Sequence, residues 1–305
     1  MKICYFVGGI GEPKINFKKN LLLKNLEKIY NSNKQNYDIF INTYSNDFNI
    51  DFLKNIDYID KIFFHRKSPS HLTQLWHSNN DLDKLKNYDY IIFVLDDIEL
   101  VKFNLLHMID LINEYKIDIL SPKINNATHE YMKLNNYKNH ISFTNCLEIF
   151  NFVSTPKGFF KYYQMLDKDN ENIWGVDLFF GYYKIKTGII WLYESNHLYK
   201  GPSKKSYYDE MIKYCKKRGF EKNKKECIRI TVEKYYKNII YQTINLENNI
   251  GFYWKTKDND EVYWSNKNNK FLKDLKFNNP DEYFKHRKNN DFDLDWTNIK
   301  IYKKI

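Results

Sequence analysis

Three groups of residues in this sequence have the types and spacing to do chemistry. Asp96, Asp97 and Glu99 follow directly on the apolar run 89–95 (DYIIFVL). Side chains alternate along an extended chain, so Asp97 and Glu99 are expected on one side and Asp96 on the other. Hard oxygen donors at that spacing suit Mg2+ or Mn2+, which keep open positions for water and phosphate oxygens. The plain alternative is a set of acids capping a helix that starts near Phe103. A buried strand running straight into acids favours the metal, because open α/β sheets bind ligands beyond the carboxyl ends of their strands. The second group is Trp174-Gly175-Val176-Asp177. Trp174 offers a flat face to a sugar ring and Gly175 permits close backbone approach. Asp177 could take a proton from an acceptor hydroxyl, or merely cap a helix over 176–186. The third is His197, followed by Lys200, Gly201 and Lys204. An imidazole there could be a further metal ligand that suits Mn2+ better than Mg2+, and the lysines could hold a diphosphate by charge. A lone histidine in an ordinary surface loop is the bland reading.

The elements that must position these groups follow from periodicity. Residues 2–7 (KICYFV) read as a strand broken by Gly8, Gly9 and Gly11, residues 17–30 as a helix, and residues 37–44 (YDIFINTY) as a second strand. That is a β-α-β start, the mark of a parallel sheet. Residues 58–64 form a third strand, 71–87 hold a helix, and 89–95 form a central strand buried on both faces. Beyond these, 103–115 read as helix, 117–121 as a strand ended by Pro122, and 124–140 as a loop. Residues 141–153 look strand-like, 156–166 and 176–186 helical, and 188–193 (GIIWLY) a last strong strand. From 206 the text changes: 206–242 suggest two Lys- and Tyr-rich helices and 248–305 a few short strands or turns. The expected division is a catalytic domain over 1–205 and a helical or mixed extension over 206–305.

Composition sets outer bounds. The chain has 305 residues, 43% of them apolar and 18% aromatic, so a sizeable core is available despite a mean hydropathy of -0.68. The net charge of +10 is explained by lysine-rich codon usage or by an anionic ligand or surface. None of the four cysteines, Cys4, Cys146, Cys215 and Cys227, lies in a C-x-x-C pair, and Cys4 and Cys146 fall in apolar runs, which fits core thiols and a reducing, cytoplasmic setting. No run approaches the ~18 apolar residues of a membrane span. The apolar run 3–10 is read as the first strand rather than a signal peptide.

Taken together, the D-I-E or D-D element at residues 96–99, the W-G-V-D element at 174–177 and the distal His197 with its Gly and Lys loop resemble the GT-A fold nucleotide-sugar glycosyltransferases. The resemblance covers about residues 1–205. It implies an α/β architecture: a Rossmann-like, mostly parallel open sheet flanked by helices, here with an α-rich C-terminal extension. It implies that Asp97 with Glu99 or Asp96, and His197, hold Mn2+ or Mg2+ against the donor diphosphate. It implies that Asp177 is the base of an inverting hexosyl- or pentosyltransferase, and that Val7, Gly8, Asn42 and Tyr44 line the nucleoside pocket. Lys200 and Lys204 fall on the donor side, Trp174 and Gly175 on the acceptor side. Glu148, in a stretch (LEIF, then Thr155-Pro156) that resembles the acceptor-side strand of some members, is a second base candidate. The implied partners are a nucleotide sugar, foremost a UDP-sugar, and a glycan or glycoprotein acceptor. No nucleic acid is expected, and peripheral contact with a membrane is an option. Two departures from the family pattern stand: D-I-E leaves open which acids bind the metal, and no Glu precedes Asp177.

Competing classes are a metal-dependent phosphoesterase or nuclease built on the same acids, a dinucleotide enzyme, and a basic binding module using the run 213–225 (KYCKKRGFEKNKK). The dinucleotide reading fails on the fingerprint, since the glycines read G-G-x-G followed by Pro13 and no acid ends the second strand.

Overall fold

The computed structural model describes residues 1–67, 71–126, 140–144, 147–180, 183–199 and 205–218, together with six short strands between 226 and 302. The chain opens with β1 (Ile3–Ile10), α1 (Ile15–Asn33), β2 (Tyr37–Thr43) and β3 (Ile59–Arg66), then α2 (Leu72–His77) and β4 (Tyr90–Val94). These four strands pair in parallel in the order β3-β2-β1-β4. β5 (Ile98–Lys102), α3 (Leu105–Tyr115), β6 (Ile119–Asn125), β7 (His140–Thr144), β8 (Asn151–Ser154), α4 (Pro156–Met165), β9 (Thr187–His197) and α5 (Lys205–Lys217) follow. β8 joins β4 and β6 antiparallel, β6 pairs in parallel with β9, and β9 pairs antiparallel with β5 and β7. The sheet is therefore mixed: parallel in its first half and largely antiparallel in its second.

The sheet holds because each strand feeds two cores. Side chains alternate, so Tyr5, Val7, Ile39, Ile41, Ile92 and Val94 pack beneath α1 and α3. Phe6, Phe40, Phe93 and Phe152 face the other way, onto Trp76 of α2 and Phe159 and Tyr162 of α4. That second core is aromatic. The Phe93 and Phe152 rings stack at 4.7 Å, and Trp76 meets Phe6 edge-on at 5.1 Å. Each such pair contributes roughly 0.5–1.5 kcal/mol beyond its buried area.

Helix ends are set locally. Asn104 caps α3, its side chain accepting from the His107 N–H at 3.1 Å. Thr155 caps α4 with Pro156 in the first turn. Asp96, Asp97 and Glu99 are thus not the caps of the following helix, because β5 and Asn104 intervene.

Four sequence expectations differ from the fold. β9 extends to His197 instead of stopping near 193, because Glu194 to His197 find partners on β5 and β6. β6 continues through Pro122, with a register shift against β9 at that point. Among the described residues of 176–186 there is no α-helix: Val176–Leu178 make one 3-10 turn, entered through Gly175 at φ 81. Local apolar spacing there reflects burial of Val176, Phe179, Phe180 and Ile185 rather than helical periodicity. Finally, the second helix expected within 206–242 is replaced by β10 (Glu226–Glu233) and β11 (Ile239–Asn245), an antiparallel pair whose β-branched alternation suits strands. β10 adds to β7, and β12 (Asn249–Gly251) to β11. A small separate sheet forms from β13 (Tyr253–Thr256), β14 (Glu261–Tyr263) and β15 (Ile299–Tyr302). Among the described residues no helix is long and apolar enough to cross a membrane.

Trp76 links both strands and helices of the aromatic core, and its indole N–H donates to the Gly8 carbonyl at 2.6 Å. Trp76→Ala is expected to cost about 3–5 kcal/mol of unfolding free energy, read from chemical denaturation; a loss under about 1 kcal/mol would contradict this account of the core.

Candidate active site

β4 ends at Val94, and the next three residues turn at the carboxyl edge of the sheet before β5 begins. There the acids separate by partner. Asp96 turns toward α1: its Oδ2 lies 2.7 Å from Lys18 Nζ and accepts the Gly11 N–H at 3.2 Å. Burial pushes the Asp96 carboxyl up to about 6; Lys18 opposes that shift, Asp97 adds to it, and the Gly11 N–H opposes it. Asp97 turns toward β9. The β5–β9 register sets Ile98 opposite His197, and Asp97 Oδ2 sits 3.1 Å from His197 Nε2. The Phe150 ring lies 4.4 Å from the imidazole, and the Leu198 N–H donates to the Asp97 carbonyl at 3.0 Å.

Glu99 is engaged elsewhere. Lys24 of α1 bonds one of its oxygens and Asn196 donates to the other at 3.0 Å. Those bonds, Lys24 first, hold the Glu99 carboxyl below its usual range. Among the described residues no three His, Cys, Asp or Glu side chains gather into a ready-made cage for an ion. Of the four expected metal ligands, Asp97 and His197 contact each other, while Asp96 bonds to Lys18 and Glu99 to Lys24. Asp97 and His197 fit a divalent ion as a partial ligand set. Asp97 Oδ1 and His197 Nδ1 are buried without a hydrogen-bond partner among the described residues. Mg2+ and Mn2+ sites commonly use one or two protein carboxylates and complete their shell with substrate phosphates and water.

The expected donor-side residues cluster at the ends of β1 and β2. Tyr44 covers the glycine turn so closely that a Cβ on Gly11 would fall inside its ring. Burial, then Asp96, Asp97 and Glu12, raise its phenol far above the usual value. Gly8 is a packing glycine: an added Cβ would stand 2.7 Å from the Phe93 ring and 2.9 Å from Trp76. Val7 belongs to the core. Asn42 is fully buried, accepts from Asn79 Nδ2 at 2.6 Å, and has no partner for its own Nδ2 among the described residues. Lys200 and Lys204 lie outside the described residues.

On the acceptor side, one short segment ties the pieces together. The Leu147 N–H donates to the Asp177 carbonyl at 3.1 Å, and the Phe150 carbonyl accepts from Leu95 at 2.9 Å. Two residues lie between Leu147 and Phe150, a reach of at most ~11 Å between those two backbone bonds. Glu148 and Asp177 are buried, 2% and 7% exposed. Trp174 is 38% exposed and meets Tyr207 of α5 edge-on at 5.8 Å. Gly175 is required by its left-handed φ and by Met211, whose Cγ would be 2.8 Å from an added Cβ.

Sequence reasoning missed Lys18, Phe150 and Asn196. A signal for Lys18 existed: it lies on the helical stripe Ile15, Lys18, Leu22, Asn25, Ile29, where a lysine interrupts an otherwise inward face.

The Asp96 environment predicts a titration. An unfolded aspartate loses its proton near pH ~4, whereas Asp96 keeps its own to about 6. This carboxyl therefore contributes a decline in stability as pH rises across that interval and nothing further above it. A carboxyl-carbon NMR titration is expected to give a midpoint near 6 that moves higher in Lys18→Met, because the cation that favours the carboxylate is gone. A midpoint at or below ~4 would refute the assignment.

By sequence the chain matches no protein-family model and no curated protein. Among solved structures it superposes on the crystal structure of GalNAc-T7 with UDP, GalNAc and Mn2+ with a TM-score of 0.52 and 11% identity, covering 70% of this chain and 47% of that one. The S. aureus TarS structure gives a TM-score of 0.47 and 13% identity over 71% of this chain and 39% of TarS. A197 from STIV gives 0.38 and 14% over 66% and 87%. The chain spans about half the length of the GalNAc-T7 structure it matches. With a parallel first half, a largely antiparallel second half and that superposition, the chain carries a GT-A fold.

Proposed function

We propose that the chain is a nucleotide-sugar glycosyltransferase that works with Mn2+ or Mg2+ and passes the sugar of a UDP-sugar to a hydroxyl of a glycan or glycoprotein, with inversion. One observation carries this reading: the Asp97–His197 contact at the carboxyl end of β4, with Asp97 Oδ1 buried and unpartnered among the described residues. That is where open α/β sheets take their ligands. The solved neighbour with TM-score 0.52 contains UDP, GalNAc and Mn2+, which supports the same ligand classes here. A two-metal phosphoesterase is less well supported, since the described residues bring no third acid to the pair.

In this reading Asp97 and His197 hold the ion beside the donor diphosphate. A divalent ion bound there would supply positive charge as negative charge develops on the departing diphosphate. Tyr44 and the glycine turn form the floor for the nucleoside, with Asn42 and Asn79 at its inner end. Trp174 offers its exposed face to a sugar ring. Asp177 takes the proton of the acceptor hydroxyl, with Glu148 the second candidate for that role. Attack on the face opposite the diphosphate inverts the anomeric carbon. The buried thiol of Cys4 supports a reducing, cytoplasmic setting.

Two measurements test the assignment. UDP is expected to raise the melting temperature only when Mn2+ is present, and Asp97→Ala is expected to abolish that shift; stabilisation by UDP undiminished in EDTA would remove the ion from the mechanism. Asp177→Asn is expected to lower kcat by about 10²–10⁴ while leaving UDP affinity unchanged. If Glu148→Gln shows that loss instead, the base is Glu148.

A further inference from the structure

Lys18 is a buried cation that the proposed chemistry does not use. It is 5% exposed on the inward stripe of α1, a place where helices normally present an aliphatic side chain. Its ammonium contacts Asp96 Oδ2 at 2.7 Å and donates to the Gly11 carbonyl at 2.6 Å, while the same Oδ2 accepts the Gly11 N–H. Gly11 is thus held through both its backbone groups by one ion pair. Tyr44 lies on that glycine with no room for a side chain between them. A buried ammonium and carboxylate satisfy one another, and removing either strands the other charge in the interior. An Asp96 oxygen committed to Lys18 and Gly11 meets a cation only by giving those partners up.

We propose that Lys18 and Asp96 are a positioning pair and not part of an ion's ligand set: they pin the Gly11 turn beneath Tyr44 and leave Asp97 as the carboxylate that faces ligand. Its consequence for donor binding rests on the transferase reading; the pinning itself does not. The pair makes the floor of the nucleoside pocket rigid before any ligand arrives, so less ordering is left to be done on binding.

The full chain is compared with Lys18→Met, Asp96→Asn, the neutral double variant Lys18→Gln/Asp96→Asn, and Asp97→Asn. Hydrogen exchange on the ligand-free protein reads the pinning. The amides of residues 9–14 are expected to exchange at least about tenfold faster in Lys18→Met, with β1 up to Val7 unchanged and protection partly restored in the double variant, which buries no lone charge. Mn2+ binding by electron paramagnetic resonance and UDP binding at saturating Mn2+ read the consequence. In Asp96→Asn, Mn2+ affinity is expected to stay within roughly threefold while UDP affinity falls about tenfold; in Asp97→Asn, Mn2+ binding is lost. Unchanged exchange at residues 9–14 in Lys18→Met overturns the proposal. So does an Asp96→Asn protein that loses Mn2+ as completely as Asp97→Asn. Should the single variants not fold, the double variant supplies both readings: retained Mn2+ binding with weakened UDP supports the pair, and lost Mn2+ binding overturns it. If the unaltered protein binds neither Mn2+ nor UDP but the exchange result is as expected, the transferase reading falls and the pinning stands.

Discussion

The antiparallel ladder between β5 and β9 sets Ile98 opposite His197 and so delivers an imidazole onto the carboxylate of Asp97. The rest of the rim is arranged around that junction. β9 reaches it only because its last residues pair with β6 on one side and β5 on the other. A polar row, Lys24 to Glu99 to Asn196 to Asn125, crosses the same three strands and holds their register. Glu99 therefore works as a rung of the ladder, with its carboxylate bonded to Lys24 and Asn196.

The two faces of the sheet have different materials for different tasks. Under α1 and α3 the packing is mostly aliphatic, and the helix facing the strands there also carries Lys18 and Asn25 inward, toward Asp96 and the backbone of β5. Under α2 and α4 the packing is aromatic, and it reaches the rim through Trp76 and its bond to Gly8. Rings with few rotatable bonds lose little entropy on burial for the area they cover. That suits the floor of a ligand pocket, where small displacements are felt at the reacting atoms.

The parts of the fold legible in the sequence were those where burial on both faces overrides local ambiguity. β1, β2 and β4 are strands buried along almost their whole length, and each fell within a few residues of its reading. The positions of Asp97 after β4 and of His197 at the end of β9 follow from those of the strands themselves. The 176–186 stretch misled because buried aromatics can recur at helical spacing while lining an irregular turn. β10 and β11 misled because lysines and tyrosines around them favour a helical reading, whereas the pairing of β10 with β7 is a long-range contact and β11 adds onto β10. The partition of the three acids was not legible at all. Strand alternation predicts which way a side chain points, but the choice between Lys18, His197 and Lys24 as partners belongs to α1 and β9, far away in the chain.

The burial of Lys18 against Asp96 has a further consequence for descent. Either charge alone would be stranded in the interior, so neither position is free to drift by itself. Relatives that lack the lysine should also lack the aspartate, having replaced both with neutral residues of matching volume. The site thus carries a pairwise inheritance constraint.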